Sequence, residues 1–168
     1  MILGIDPSTK TGWCSYHNGE FVTGQQTFAK LSGMDRVRAF HLWIDNKLKV
    51  LNPEIIVMEN YGFANAHSLV TLVEIGTAMR LVIWERHTPF YIVSPNALKK
   101  FVIGKGAGKK EEVMLATYKR WGFEARTNDE VDAYVLARIG MALIGVTHQD
   151  DLTIAQREVL AVVREGKI

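Results

Sequence analysis

The sequence is poor in cysteine: Cys14 is the only one in 168 residues. No internal disulfide can form, so a hydrophobic core must hold the fold, and a reducing compartment is the matching environment. Long apolar runs free of charge are missing too. The longest apolar stretch, residues 69–84, contains Glu74 and Arg80 and reads as a buried helix, not a membrane span. No basic segment followed by an apolar core opens the chain, so no signal peptide is expected. No low-complexity tract, linker or internal repeat divides the sequence. His41, His67, His87 and His148 show no ligand spacing and stay unassigned. Net charge is only +2, which by itself predicts no acidic partner. What remains is one domain over residues 1–168, whose 48% hydrophobic share is enough for a full core.

The few prolines punctuate that domain. Ile2-Leu3-Gly4-Ile5 runs into Asp6, and Pro7 stops the run because it has no N–H for a sheet ladder. This is a short buried strand ending in a carboxylate, and a lone buried carboxylate is costly without a cation, a donor cluster or a raised pKa. Asn18-Gly19 marks a hairpin between residues 13–16 and 21–28. Ser32 can cap a helix to Leu51, broken by Pro53. Glu54 to Glu59 is a second buried strand with a terminal carboxylate. A loop to Ala66 and a largely apolar helix, 67–86, follow. Phe90 to Val93 is stopped by Ser94-Pro95. A short helix (96–102), a glycine loop (104–108) and a helix from Lys109 to Trp121 come next. Asn128 can cap a helix to Ile144, and an extra helix spans 151–164. The pattern is α/β with a mixed five-stranded sheet flanked by helices.

Asp6 and Glu59 emerge at one sheet edge if their strands are adjacent and parallel, and that edge is where open α/β sheets bind ligands. Asp129 and Asp132 stand three apart on a helix and share a face. A strand-end Asp can be a mere turn residue, and acids in a first helical turn often just face the dipole. Three acidic sites meeting together favour a cation instead. Oxygen ligands suit a hard divalent ion such as Mg²⁺. Two ions roughly 3.5–4 Å apart can activate water and stabilise the leaving oxygen of a phosphodiester. Residues 95–126 carry eight Lys and Arg (Lys99, Lys100, Lys105, Lys109, Lys110, Lys119, Arg120, Arg126) against three Glu, hence +5 in a chain of +2. A basic face beside an acidic pocket suits a polyanion. Lys99, Lys100, Lys105, Lys109 and Lys110 are its expected phosphate contacts.

Gly4-Ile5-Asp6-Pro7 with Thr11-Gly12, Val57-Met58-Glu59, Ser94 to Lys99, Gly104-Lys105-Gly106 with Lys110, and Asp129 to Ala133 resemble, in order and spacing, the RuvC Holliday junction resolvases. The resemblance covers residues 1 to about 145. It implies a ribonuclease H-like fold, a homodimer, and Mg²⁺- or Mn²⁺-dependent nicking of branched DNA such as four-way junctions, in the cytoplasm of a bacterium or an infected host cell. Asp6, Glu59, Asp129 and Asp132 match the family's metal-binding carboxylates. Lys99 and Lys110 match its active-site-flanking lysines, with Lys110 near the scissile phosphate. Tyr61 and Phe63 straddle the position of its base-contacting Phe. The shorter turn after Asp6 and the unmatched tail fit a divergent, phage-borne member. Competing readings are an RNA-processing nuclease of the same fold, an actin-like ATPase, for which the chain is short, and a binding module without catalysis, which intact carboxylates disfavour. A two-fold junction calls for two chains. On the 67–86 helix, Leu69, Leu72, Gly76, Met79 and Ile83 form one stripe and Val70, Val73, Leu81 and Trp84 another. One is expected to cover the sheet and the other to meet a second chain, with Gly76 allowing close approach. The extra C-terminal helix is the other candidate cover.

Overall fold

A computed structural model describes residues 1–62 and 66–166. β1 (Ile2–Asp6) is buried along its whole length. It pairs antiparallel with β2 (Lys10–His17), which pairs antiparallel with β3 (Glu20–Thr27). Asn18 and Gly19 both take positive φ, 48° and 91°, the geometry whose twist suits a two-residue hairpin. After α1 (Gly33–Leu51), β4 (Ile55–Glu59) lies parallel to β1; after α2 (Ala66–Glu85), β5 (Phe90–Val93) lies parallel to β4. The sheet order is β3-β2-β1-β4-β5. α3 (Pro95–Ile103), α4 (Lys110–Trp121), α5 (Asn128–Leu143), a 3-10 turn (Gln149–Asp151) and α6 (Ile154–Glu165) complete the chain. No helix of the described residues is long and apolar enough to cross a membrane.

Side chains alternate between the faces of the sheet, and each face has its own core. Leu3, Ile5, Ile56 and Met58 pack against Phe40 and Ile44 of α1 and Ile75, Met79 and Ile83 of α2. Ile2, Cys14, Val57 and Val93 face α5, with α3 and α6 beyond it. α5 sits unusually close to the sheet. A Cβ added at Gly4 would lie 2.2 Å from the Ala133 carbonyl oxygen, one at Gly12 would lie 2.0 Å from that of Asp129, and one at Gly140 would lie 2.6 Å from Ile2 Cγ2. Glycine at Gly4 and Gly12 lets helix backbone meet strand backbone, and at Gly140 it lets the helix backbone rest on the Ile2 and Val57 side chains.

Several expected details differ. Ser32 makes no side-chain cap, whereas Thr127, not Asn128, caps α5 by accepting from Glu130 N at 3.2 Å. The C-terminal helix begins at Ile154 rather than 151, because Thr153 and Gln156 form a reciprocal capping box there. That helix buries Val159, Leu160 and Val163 on the α5 face of the sheet, against α3, α5 and β5. It therefore lies on the opposite side from α2 and does not cover it. α2 is covered on one side only: Val70, Val73, Leu81 and Trp84 are exposed, Trp84 by 62%. The other predicted stripe is buried at Met79 and Ile83, while Leu69 is 37% exposed. The space beside Gly76 is filled within the chain: a Cβ there would strike the Tyr61 ring at 2.6 Å.

Gly4→Ala is expected to lower stability by about 2–3 kcal/mol, since rigid backbone on both sides cannot yield to the added methyl. Gly62→Ala, which meets only Pro95 Cγ at 3.7 Å, should cost far less. Thermal melts of the two variants check the difference.

Candidate metal centre

Parity puts the acidic residues together. Ile2, Gly4 and Asp6 point to the α5 face of β1, and Ile55, Val57 and Glu59 do so on β4. The last register pair of the two parallel strands is Ile5 and Met58, so Asp6 and Glu59 follow side by side, where Pro7 ends β1. α5 supplies Asp132 from above. One carboxylate oxygen from each of Asp6, Glu59 and Asp132 lies within 4.8 Å of the others. Three elements far apart in sequence thus converge on one point.

The electrostatics are those of an uncompensated cluster. None of the three carboxylates makes an ion pair among the described residues. Burial raises Asp6 well above the usual carboxylate range, and the negative charge of Asp129 adds to it; a hydrogen bond shared with Glu59 and the charge of Lys110 oppose the rise. Burial also pushes Glu59 up strongly, with the Asp6 charge next in size. Asp132 is pushed to about 7, first by burial and then by Asp6. The Lys110 ammonium, at the start of α4, opposes the rise at all three acids, and Lys99 of α3 does so at Asp132. Like charges held this close are relieved either by protons or by a cation. The donors are all oxygen, so a hard divalent ion fits the set.

The other predicted residues are placed as follows. Asp129 interacts electrostatically with Asp6 and Asp132 but is not one of the three convergent ligands. Its Oδ2 accepts a hydrogen bond from Gln25 Nε2 at 2.7 Å. Lys109 is exposed at the start of α4. Lys105 is also exposed and pairs with Glu112 at 2.8 Å, and Lys100 pairs with Glu158 of α6 at 2.7 Å. Tyr61 is partly buried: its ring lies against Gly76 and 4.4 Å from the Arg80 guanidinium carbon. Arg80 also donates to Asn60 Oδ1 at 3.1 Å. Phe63 lies outside the described residues. Gln25, Asn60 and Arg80 are additions that sequence reasoning missed. Register could have flagged Gln25, the cross-strand partner of Gly12. The Arg80 contact spans 20 residues and leaves no sequence signal.

Comparison with known proteins agrees with this geometry. The family model "Crossover junction endodeoxyribonuclease RuvC" matches residues 2–139. The chain belongs to the RuvC family. RuvC of Orientia tsutsugamushi (strain Boryong) is 29% identical over 150 residues, covering 82% of this chain and 92% of that protein. The T. thermophilus RuvC solved in complex with Holliday junction substrate superposes with a TM-score of 0.63 at 22% identity, over 81% of this chain and 89% of that one. Fowlpox virus resolvase, solved with Holliday junction DNA, gives a TM-score of 0.54 at 13% identity, over 84% and 99% of the two chains. The fold is the ribonuclease H-like fold of the RuvC resolvases.

The raised acids set a pH dependence. Their protons are held more tightly in the folded chain than in the unfolded one, so for these groups stability is greatest below the unfolded carboxyl range and is lost as pH rises through the folded values. For Asp132 that window runs from about pH 4 to about pH 7. The metal-free protein should melt several degrees lower at about pH 8 than at about pH 5. Mg²⁺ should raise the melting temperature more at the higher pH, and Asp132→Asn should flatten the dependence. Melting curves with and without Mg²⁺ measure all three effects.

Proposed function

We propose that this RuvC-family chain nicks four-way junctions, and other branched DNA, by hydrolysing a phosphodiester with two Mg²⁺ or Mn²⁺ ions per site, and that it works as a homodimer. The observation that carries the reading is the convergence of Asp6, Glu59 and Asp132 without an ion pair to balance them among the described residues. Asp6, Glu59 and Asp132 would hold the ions, with Asp129 beside them. When bound, the cations would supply an activated water and stabilise charge on the leaving oxygen. The chain's own part is positional. β1 and β4 fix two ligands on a rigid edge, and α5 fixes the others. Lys110, whose charge already bears on the three acids, offsets the charge of the scissile phosphate. Lys99 acts on the same side of the site. Lys109, which makes no ion pair among the described residues, reaches the flanking phosphates. Lys100 and Lys105 can join only by leaving Glu158 and Glu112, exposed pairs of small net worth. Tyr61, whose ring lies against Gly76 and Arg80, would contact the DNA beside the site, and Phe63 is the second candidate for that contact.

For the second chain, the bare stripe of α2 is the fitting surface. Val70, Val73, Leu81 and Trp84 leave a contiguous apolar face beside Val37 of α1, and a face of this kind is normally covered. Two chains related by a two-fold axis match the symmetry of a four-way junction and its two nicks.

Asp6→Asn keeps the shape of the side chain but removes its charge. It should bind junction DNA at wild-type strength or tighter, and cleave it roughly 100-fold or more slowly, the loss of several kcal/mol of cation stabilisation. Cleavage of a labelled junction, a linear duplex and an RNA hairpin, each with and without Mg²⁺, tests substrate and metal together. Full Asp6→Asn activity, or Mg²⁺-dependent cleavage of the RNA alone, refutes the reading. Sedimentation at micromolar concentration tests the dimer. Wild type should run as a dimer, and Val73→Lys with Leu81→Glu should run as a folded monomer.

A further inference from the structure

Gln25 stands on β3 directly opposite Gly12 of β2. Cross-strand partners point to the same face of a sheet, here the face that carries α5. Gly12 has no side chain, and its backbone is pressed against that of Asp129. The Gln25 side chain reaches α5 from the same face and donates Nε2–H to Asp129 Oδ2 at 2.7 Å. Its neighbour Gln26 points to the opposite face and turns back to the Thr27 carbonyl at 3.5 Å. Asp129 raises the pKa of both Asp6 and Asp132, yet its oxygens stand outside the three-carboxylate group. It is a fourth carboxylate at the edge of the centre, held from the far side by an amide.

We propose that Gln25 is a positioning residue for the cation site. A carboxylate has two oxygens that can each accept or ligate. With Oδ2 committed to the Gln25 amide, Oδ1 is left as the ligand atom, and the side chain is fixed before an ion arrives. The chemistry of the donor matters. An Arg or Lys at this position would orient Asp129 equally well but would add a positive charge that repels the ion. A neutral amide orients the carboxylate and leaves its full charge for the metal. The inference rests on the reading of Asp129 as a cation ligand, and the experiment separates the two.

Mg²⁺ and Mn²⁺ are titrated calorimetrically into the DNA-free protein, for wild type and for Gln25→Ala, Gln25→Met, Gln26→Ala, Asp129→Asn and the double variant Gln25→Ala/Asp129→Asn. Melting temperatures are recorded alongside. Gln25→Met keeps the length of the side chain and removes the donor, so it covers the case in which Gln25→Ala folds poorly. Both Gln25 variants should weaken ion binding roughly 10–100-fold, the usual effect of removing a group that orients a metal ligand. Gln26→Ala should not. The double variant should bind no more weakly than Asp129→Asn alone, because Gln25 acts only through Asp129. In cleavage assays the Gln25 variants should need more Mg²⁺ for half-maximal rate and recover kcat once saturated. If Asp129→Asn weakens binding but the Gln25 variants bind as tightly as wild type, or if the two losses add in the double variant, the role of Gln25 is overturned and the metal centre stands. If Asp129→Asn itself binds like wild type, it is the assignment of Asp129 as a ligand that falls, and the role of Gln25 with it.

Discussion

The direct contact of α5 with the sheet is the constraint on which the rest depends. At Gly4 and Gly12 there is no room for a single added carbon between strand and helix. A bulkier residue at either position would lift the start of α5, and the start of α5 carries Asp129 and Asp132. Lifting Asp132 away would leave Asp6 and Glu59 paired on the sheet edge without their third carboxylate. The apolar residues of the same helix, Val131, Val135, Leu136 and Ile139, are fully or nearly buried. Their burial supplies the energy that holds the helix down, at roughly 1.5–3 kcal/mol for each large side chain. The same packing that stabilises the domain therefore sets the distances of the chemistry.

That packing also forces an unfavourable arrangement. Burial of carboxylates beside one another raises the pKa of each, most strongly at Glu59. A protein built only for stability would place an arginine there. This one brings only Lys110 and Lys99 near, and neither forms an ion pair with the cluster among the described residues. In the proposed function this uncompensated charge is what attracts a cation, whose binding would recover the stability given up without it. The apolar groove between the end of α3, α4 and the start of α6 has no comparable group of acids.

Most of this was legible in the sequence, for identifiable reasons. Runs such as Ile2–Ile5 and Ile55–Met58 are too short for helices and too apolar for loops, so the strands, their terminal carboxylates and the α/β class could be read directly. Five short motifs in a fixed order then pointed to the family, and the roles of the four acids and two lysines followed from the resemblance. What could not be read was set by partners distant in the chain. Gly76 looked like a seat for another helix because a missing side chain shows only that something comes close; Tyr61, fifteen positions earlier in the chain, is what comes close. Thr127 displaced Asn128 as the cap of α5 because both residues are good caps, and the tertiary position of the helix chose between them. The tail had the periodicity of a helix but nothing in it named the surface it covers.

The two faces of the sheet divide the work. On the α5 face every layer is closed over by another: α5 on the strands, α3 and α6 beyond, with an aromatic group of Phe21, Phe123 and Tyr134 filling one end. Phe123 and Tyr134 stack at 3.9 Å, and Arg138 ties in by donating to the Tyr134 hydroxyl at 2.8 Å. Rigidity on this side serves a site whose ligands must hold their separations. The opposite face stops at α1 and α2 and leaves an apolar stripe in solvent. α6 packs on the face that α5 already closes, where Glu158 also engages Lys100. The tail thus leaves the proposed dimer surface open while reducing the positive charge beside α3. α6 therefore reinforces the face that carries the acidic cluster and leaves the apolar stripe of α2 exposed.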